Sequence, residues 1–338
     1  MTGRVIASDS GRLLAMLVLA VMLIWAFLKA VALGATELPF STIISAVFAF
    51  DGSRDHLVVA TIRLPRALAA LLAGSAFAVS GAIMQAVTNN PLASPDLLGI
   101  NAGAAFAVVF VTMAFGTGTA DIYIWFAFIG AASAAMVVYG LGSLGGVANS
   151  PLKLVLAGAV VATFLASITT AILIFDQSTL DTVRLWTAGS VAGRSMAQVV
   201  SVAPYIVVGI IAAFPFARHL TTLSLGADTS RSLGQNPMLW RGASVVLVIL
   251  LAGGAVAIAG PIGFVGLIVP HVARLCVGVD YRWIIPFSAL GGALLVSVAD
   301  TVARLMFGSQ SFPVGVTLAL IGAPFFLYLA RTQLRHGA

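Results

Sequence analysis

Hydrophobic positions in this chain run in continuous blocks rather than in alternation. Ten apolar stretches, at about 13–33, 62–86, 93–114, 121–142, 152–174, 198–217, 239–259, 262–278, 283–306 and 313–330, are separated by short clusters of polar residues, glycine and proline. A helix of about 20 residues crosses a hydrocarbon core of roughly 30 Å. Backbone donors and acceptors cannot go unpaired in lipid, so blocks of this length predict helices, and the missing alternation argues against barrel strands. The eighth block is the weakest, because it opens on Gly260-Pro261-Ile262-Gly263. The pattern predicts an all-α polytopic membrane protein with about ten transmembrane helices. Residues 1–338 are read as a single transmembrane domain, since the gaps at 34–61, 175–197 and 218–238 hold no soluble one.

Composition supports that class. The chain is 60% hydrophobic and 8% charged, against about 25% charged in soluble domains. Its 17 Lys+Arg outweigh 11 Asp+Glu, but no basic cluster or stripe exists. The excess is therefore a topology signal and gives no reason to expect nucleic acid. With the N-terminus inside and ten crossings, ten of the 17 cations fall on the cytoplasmic side, among them Arg4, Arg12, Arg218, Arg231, Arg331 and Arg335. The expectation is N-in, C-in. The first block follows Arg4 and Arg12 as a signal peptide would, yet its length suits an uncleaved helix. One cysteine, Cys276, excludes an intrachain disulfide. Lys29 and Lys153 each follow a leucine, so neither sits in a Gly-Lys-Ser/Thr phosphate loop. This chain is not expected to hydrolyse ATP by that route.

One polar island interrupts the second half: Ser224-Leu-Gly-Ala-Asp-Thr-Ser-Arg-Ser-Leu-Gly-Gln-Asn-Pro237. Ala227 to Leu233 predicts a short helix. Gly234 suits the left-handed residue after it, and Pro237 forbids continuation. Asp228 near its start and Arg231 toward its end match the helix dipole. Two turns do not stand alone in water, so the helix needs a partner, with Leu225 and Leu233 offering apolar contact; an ordinary solvated loop is the alternative. Arg63-Leu-Pro-Arg66 puts two arginines at the predicted start of the second membrane helix, against its dipole and against the positive-inside bias, which suggests an acidic partner. Snorkelling to lipid phosphates is the alternative. Asp300 and Arg304 are spaced i,i+4 and can pair with each other. Thr163, Ser167 and Thr170 lie on one face of the fifth helix, able to line a path or to bond back to their own helix. His56, His219, His271 and His336 lie in separate segments, so neither a metal-ligand set nor a catalytic constellation can be assembled. Acids are nearly absent inside the helices, which argues against an ion-gradient-driven secondary transporter.

Several segments, in order, resemble the FecCD family of permease subunits of binding-protein-dependent ABC importers. They are Arg63-Leu-Pro-Arg66, Ser80-Gly81, Asn90-Pro-Leu-Ala-Ser-Pro-Asp-Leu-Leu-Gly99, Leu233-Gly234, Gly260-Pro-Ile-Gly-Phe-Val-Gly-Leu-Ile-Val-Pro-His-Val-Ala-Arg274, Ala299-Asp300 with Arg304, and Pro313-Val-Gly-Val…Ile-Gly-Ala-Pro-Phe325. The resemblance implies the type II importer permease fold in the bacterial inner (plasma) membrane. It implies partners too: an ABC ATPase dimer carrying ATP and Mg, a periplasmic or lipid-anchored substrate-binding protein, and a second permease, identical or homologous. No cofactor is expected on this chain. Leu225, Ala227, Asp228, Arg231, Leu233 and Gly234, within a cytoplasmic segment at about 218–238, correspond to the family's ATPase-coupling helix. Arg63, Arg66 and Arg304 correspond to arginines that dock the binding protein. Thr163, Ser167 and Thr170 lie on the helix corresponding to a path-lining one, but are no family motif. The Asn90–Gly99 run looks closest to iron(III)–siderophore permeases, with haem and vitamin B12 importers as the alternatives.

Overall fold

The computed structural model describes residues 6, 8–34, 36–116, 120–143, 151–307 and 312–336, and every regular element among them is a helix. In chain order these are α1 (Asp9–Ala32), α2 (Phe40–Phe48), α3 (Arg54–Thr88), α4 (Ile100–Phe115), α5 (Ala120–Ser143), α6 (Pro151–Phe175), α7 (Gln177–Thr187), α8 (Met196–Leu223), α9 (Ala227–Ser232), α10 (Pro237–Ala259), α11 (Val265–Val277), α12 (Tyr281–Phe307) and α13 (Val314–His336). Seven of the described helices, α1, α3, α5, α6, α8, α10 and α12, are long and apolar enough to cross a membrane. The shorter apolar helices α4, α11 and α13 occupy the other three hydrophobic blocks.

The ends of these helices follow local chemistry. Ser8 caps α1 by accepting from the Gly11 N–H, and Ser195 and Gln198 form a reciprocal capping box at α8. Helix α3 starts earlier than expected. Ser53 caps it at Arg54, so Arg63 and Arg66 lie inside the helix and not at its first turn. Pro65 has no N–H and its ring crowds the preceding turn; the chain accommodates it with a π-turn at Val59–Arg63. Two helices lie in gaps that the hydrophobic pattern left open. One is α2. The other is α7, whose start is fixed by the Asp176 carboxylate accepting from the Ser178 and Thr179 N–H groups. Hydroxyl bonds from Ser178 and Thr179 hold the Asp176 carboxyl down to about 2. The 93–114 block begins as a 3-10 turn at Pro95–Leu98 before α4 starts.

Helix α3 is the centre of the bundle: 83% of its apolar window is buried, against 11% for α6. It packs on α12, α11, α8 and α10. Lipid is as apolar as leucine, so close backbone approach and dispersion hold these helices together. Two crossings show how close that approach is. A β-carbon on Gly74 would meet the Gly292 carbonyl of α12, and one on Gly81 would meet the Gly266 carbonyl of α11. Helix α6 instead turns Leu156, Val160, Phe164 and Ile174 outward.

Antiparallel packing gathers distant segments at two opposite ends. At one end the Ile6 N–H reaches the Cys276 carbonyl at 3.0 Å, and the Tyr281 N–H reaches Thr221 Oγ1 at 3.0 Å. There the end of α3, the α8–α9–α10 connection and the α11–α12 turn meet. The other end collects the α1–α2 turn, the first third of α3 and the last two turns of α12.

Candidate functional site

The polar island folds as a strapped, outward-facing helix. Helix α8 ends with Leu223 fully buried and Ser224 Oγ bonded to the Thr221 carbonyl at 2.7 Å. Gly226 (φ 102°, ψ 159°) turns the chain into the six-residue α9, and Gly234 (φ 76°) turns it out again. Asn236 then caps α10 through its side chain, with Pro237 in the first turn. A helix this short needs fixing from outside itself. Ser230, completely buried, donates its hydroxyl to the Thr222 carbonyl at 2.8 Å. Gln235 Nε2 donates to the His219 carbonyl at 3.2 Å, and the His219 ring stacks on Trp240 at 3.4 Å. Small polar groups therefore hold α9 to the membrane helices, and its large residues point away. Leu225 and Leu233 are 54% and 63% exposed. Asp228 and Arg231 pair at 2.9 Å on the same open surface. A β-carbon on Gly234 would meet nothing within 4 Å, so its surroundings in the chain leave that side empty.

At the opposite end Arg63, Arg66 and Arg304 come together, but inward. Arg66 forks onto Asp300, with Nη2 to Oδ1 at 2.8 Å and Nε to Oδ2 at 2.9 Å, while Arg304 Nε lies 3.3 Å from Oδ2. Arg63 donates to the carbonyls of Ala32 and Thr36 at 2.6 Å each and of Val31 at 3.1 Å. Arg304 donates to those of Ala30 and Leu33 at 3.0 and 3.1 Å. Four of these acceptors, Ala30 to Leu33, are carbonyls at the C-terminal end of α1, where a helix leaves its last acceptors without intrahelical partners; Ala32 also accepts from the Leu38 N–H. The cations that seemed to oppose one helix dipole therefore complement the C-terminus of another. Arg63 and Arg66 are 5% and 4% exposed, so in this structure their guanidinium groups do not form an open docking face.

Thr163, Ser167 and Thr170 all lie on the exposed side of α6. Ser167 Oγ donates to the Thr163 carbonyl and Thr170 Oγ1 to the Ala166 carbonyl, both at 2.8 Å. The Ser167 and Thr170 hydroxyls therefore bond back to their own helix, one of the two arrangements the spacing allowed. Among the described residues, no group of three or more His, Cys, Asp or Glu side chains is placed to hold a metal ion.

Sequence reasoning missed a second polar cluster, beside α9. Arg274 donates to Gln85 Oε1 at 2.7 Å and to the Tyr281 hydroxyl at 3.3 Å, joining α11, α3 and α12. Asn89, at the left-handed end of α3, lies against the turn before α9. A readable signal existed: asparagine tolerates the left-handed conformation at a helix end, and Asn89 directly follows an apolar helical run.

The FecCD transport family model matches residues 20–332. The chain belongs to the FecCD transport family. An Fe(3+)-citrate import system permease protein of Bacillus subtilis is 41% identical over 323 residues, covering 96% of each chain. The ferric enterobactin transport system permease protein of Escherichia coli is 39% identical over 321 residues, covering 95% of this chain and 96% of the relative. The solved structure of a metal-chelate type ABC transporter in an inward-facing conformation matches with a TM-score of 0.81, covering 94% of this chain and 99% of that one. At 24% identity that likeness shows the fold. The FecCD chain is thus an ABC transporter permease, a multi-pass helical membrane protein.

Proposed function

We propose that this FecCD permease carries an iron(III)–siderophore complex from the cell exterior or periplasm to the cytoplasm. In this reading alternating access is driven by ATP hydrolysis on a separate ABC ATPase dimer, which carries the Mg–ATP. The observation that carries the proposal is α9: a helix too short to stand alone, strapped by Ser230 and Gln235, with Leu225, Leu233, Asp228 and Arg231 directed outward. Its form suits insertion into a cleft of another protein. The ferric citrate and ferric enterobactin relatives favour an iron chelate over haem or vitamin B12.

The remaining assignments follow from that reading. Ten crossings, N-in and C-in, put α9 in the cytoplasm and the arginine cluster at the outer face of the plasma membrane. The largely uncovered α6 faces a second permease, identical or homologous, across the path. A substrate-binding protein docks above Arg63, Arg66 and Arg304, drawn by three guanidinium groups of which two share the Asp300 carboxylate and the third rests on backbone carbonyls. Because their donors are already engaged, attraction through the field is proposed here in place of direct contact.

The test is co-purification with ATPase and binding-protein partners, then ATPase stimulation across ferric siderophores, haem and cobalamin in proteoliposomes. Stimulation and ATP-dependent uptake of a ferric siderophore are expected. Uptake by the purified chain alone, under an ion gradient and without ATPase, would overturn the reading.

A further inference from the structure

Everything that straps α9 leads back to the helices on either side of it in sequence. Ser230 and Gln235 bond to α8, and Asn236 bonds to the start of α10. A pull on α9 reaching only those two helices leaves α3, the most buried long helix, without a direct hydrogen bond to the moving part. Asn89 supplies that bond. It ends α3 in the left-handed conformation, φ 52° and ψ 31°. With its amide turned to satisfy both neighbours, the nitrogen donates to the Ser224 carbonyl at 2.6 Å and the oxygen accepts from the Gly226 N–H at 3.2 Å. Both partners lie in the turn that swings the chain into α9.

The geometry around this contact is built for it. Gly226 holds φ 102°, which an L side chain rarely adopts, and its bare α-carbon leaves room for the Asn89 side-chain amide beside it. Behind the contact lies a cavity of about 180 Å³, lined among others by Gln85, Arg274, Tyr281 and Leu225. Across it Gln85 of α3 accepts from Arg274 of α11, which also donates to Tyr281 of α12. The Tyr281 N–H in turn donates to Thr221 on α8. Among the described residues, the side-chain hydrogen bonds from the 224–236 segment to any helix other than α8 and α10 run through Asn89 alone.

We propose that Asn89 is the positioning residue through which displacement of α9 reaches α3, acting as a two-point latch on Ser224 and Gly226. The proposal rests on the reading of α9 as the ATPase-coupling helix. A latch of this kind must grip in both directions, and one donor with one acceptor on adjacent backbone groups does so.

Two variants separate the latch from simple stability. Asn89→Gly keeps the left-handed backbone and removes the amide; Asn89→Asp keeps the size and the acceptor but loses the donor to the Ser224 carbonyl. Each is assayed in the full complex with its ATPase and binding protein, reading ATP hydrolysis and substrate transported per ATP. Asn89→Gly is expected to keep assembly and hydrolysis, while transport per ATP falls about fivefold, the factor expected for the net strength of one ordinary hydrogen bond. Asn89→Asp is expected to fall in the same direction, since a carboxylate facing the Ser224 carbonyl repels it. Unchanged transport per ATP in both variants overturns the latch. Hydrolysis and transport falling together, or failed assembly of both variants, also overturns it, by showing a docking or purely structural role. If the wild-type complex itself shows no ATP-dependent uptake, the coupling reading fails first, and that outcome is distinct from either.

Discussion

At one end of the bundle Arg63, Arg66 and Arg304 turn inward onto α1 carbonyls and the Asp300 carboxylate; at the other, Asp228 and Arg231 face outward beside Leu225 and Leu233. The same residue types serve opposite purposes. Buried charges must be paired and hydrogen-bonded, and once they are, removing one partner is costly. Exposed pairs contribute little to stability and remain available to another molecule. The arginine end holds the helices together, and the α9 end is held together so that it can present something.

That contrast can be broken in four places, ordered by expected loss of stability. Asn in place of Asp300 leaves the Arg66 fork and Arg304 without their carboxylate, and about 3–5 kcal/mol should be lost. Thermal unfolding in detergent measures it, and the surviving protein should keep its transport per ATP. A large change in transport per ATP at unchanged stability would erase the division between the ends. Next, Arg63→Met strips the donors from the Val31, Ala32 and Thr36 carbonyls. A loss of about 1–3 kcal/mol is expected, seen as faster amide exchange at the end of α1; unaltered exchange there would refute the capping role. Third, Gly234→Trp forces a side chain into a left-handed position at about 1–2 kcal/mol and fills the open surface. Uptake should collapse while the fold persists, and normal coupled uptake would count against α9 as a docking helix. Smallest is the double change of Asp228 and Arg231 to serine. The unfolding midpoint should stay put, with any effect confined to ATPase affinity and to its salt dependence.

The hydrophobic blocks were legible because lipid leaves the backbone no alternative to helix, and every block is helical in the structure. Ala227 to Gly234 was legible because turn residues at both ends and a proline beyond them constrain a short helix. The α3 start was not. Ser53 and the π-turn extend the helix past a proline that ordinarily opens one, and neither can be weighed from local spacing. Arg63 and Arg66 stood out as anomalous for their own helix, and the partners they find inside the chain lie elsewhere: Arg63 satisfies carbonyls at the end of α1 and in the turn after it, more than 25 residues away, and Arg66 pairs with Asp300 of α12. Helix α2 lay within a gap whose apolar positions are too few to cross a membrane. Gln85, Arg274 and Tyr281 sit on three helices, and their meeting is a product of packing alone.

The glycine crossings at Gly74 and Gly81 have a mechanical consequence. With no side chain between the backbones, α3 has no compressible layer separating it from α12 on one level or from α11 on another. The three helices therefore behave as a single stiff strut. A strut does not relay a message through successive rearrangements; it tilts as a whole. On that geometry a displacement of its foot at Asn89 would be felt at its head near Arg63, about 39 Å away along the helix, as a tilt of the whole.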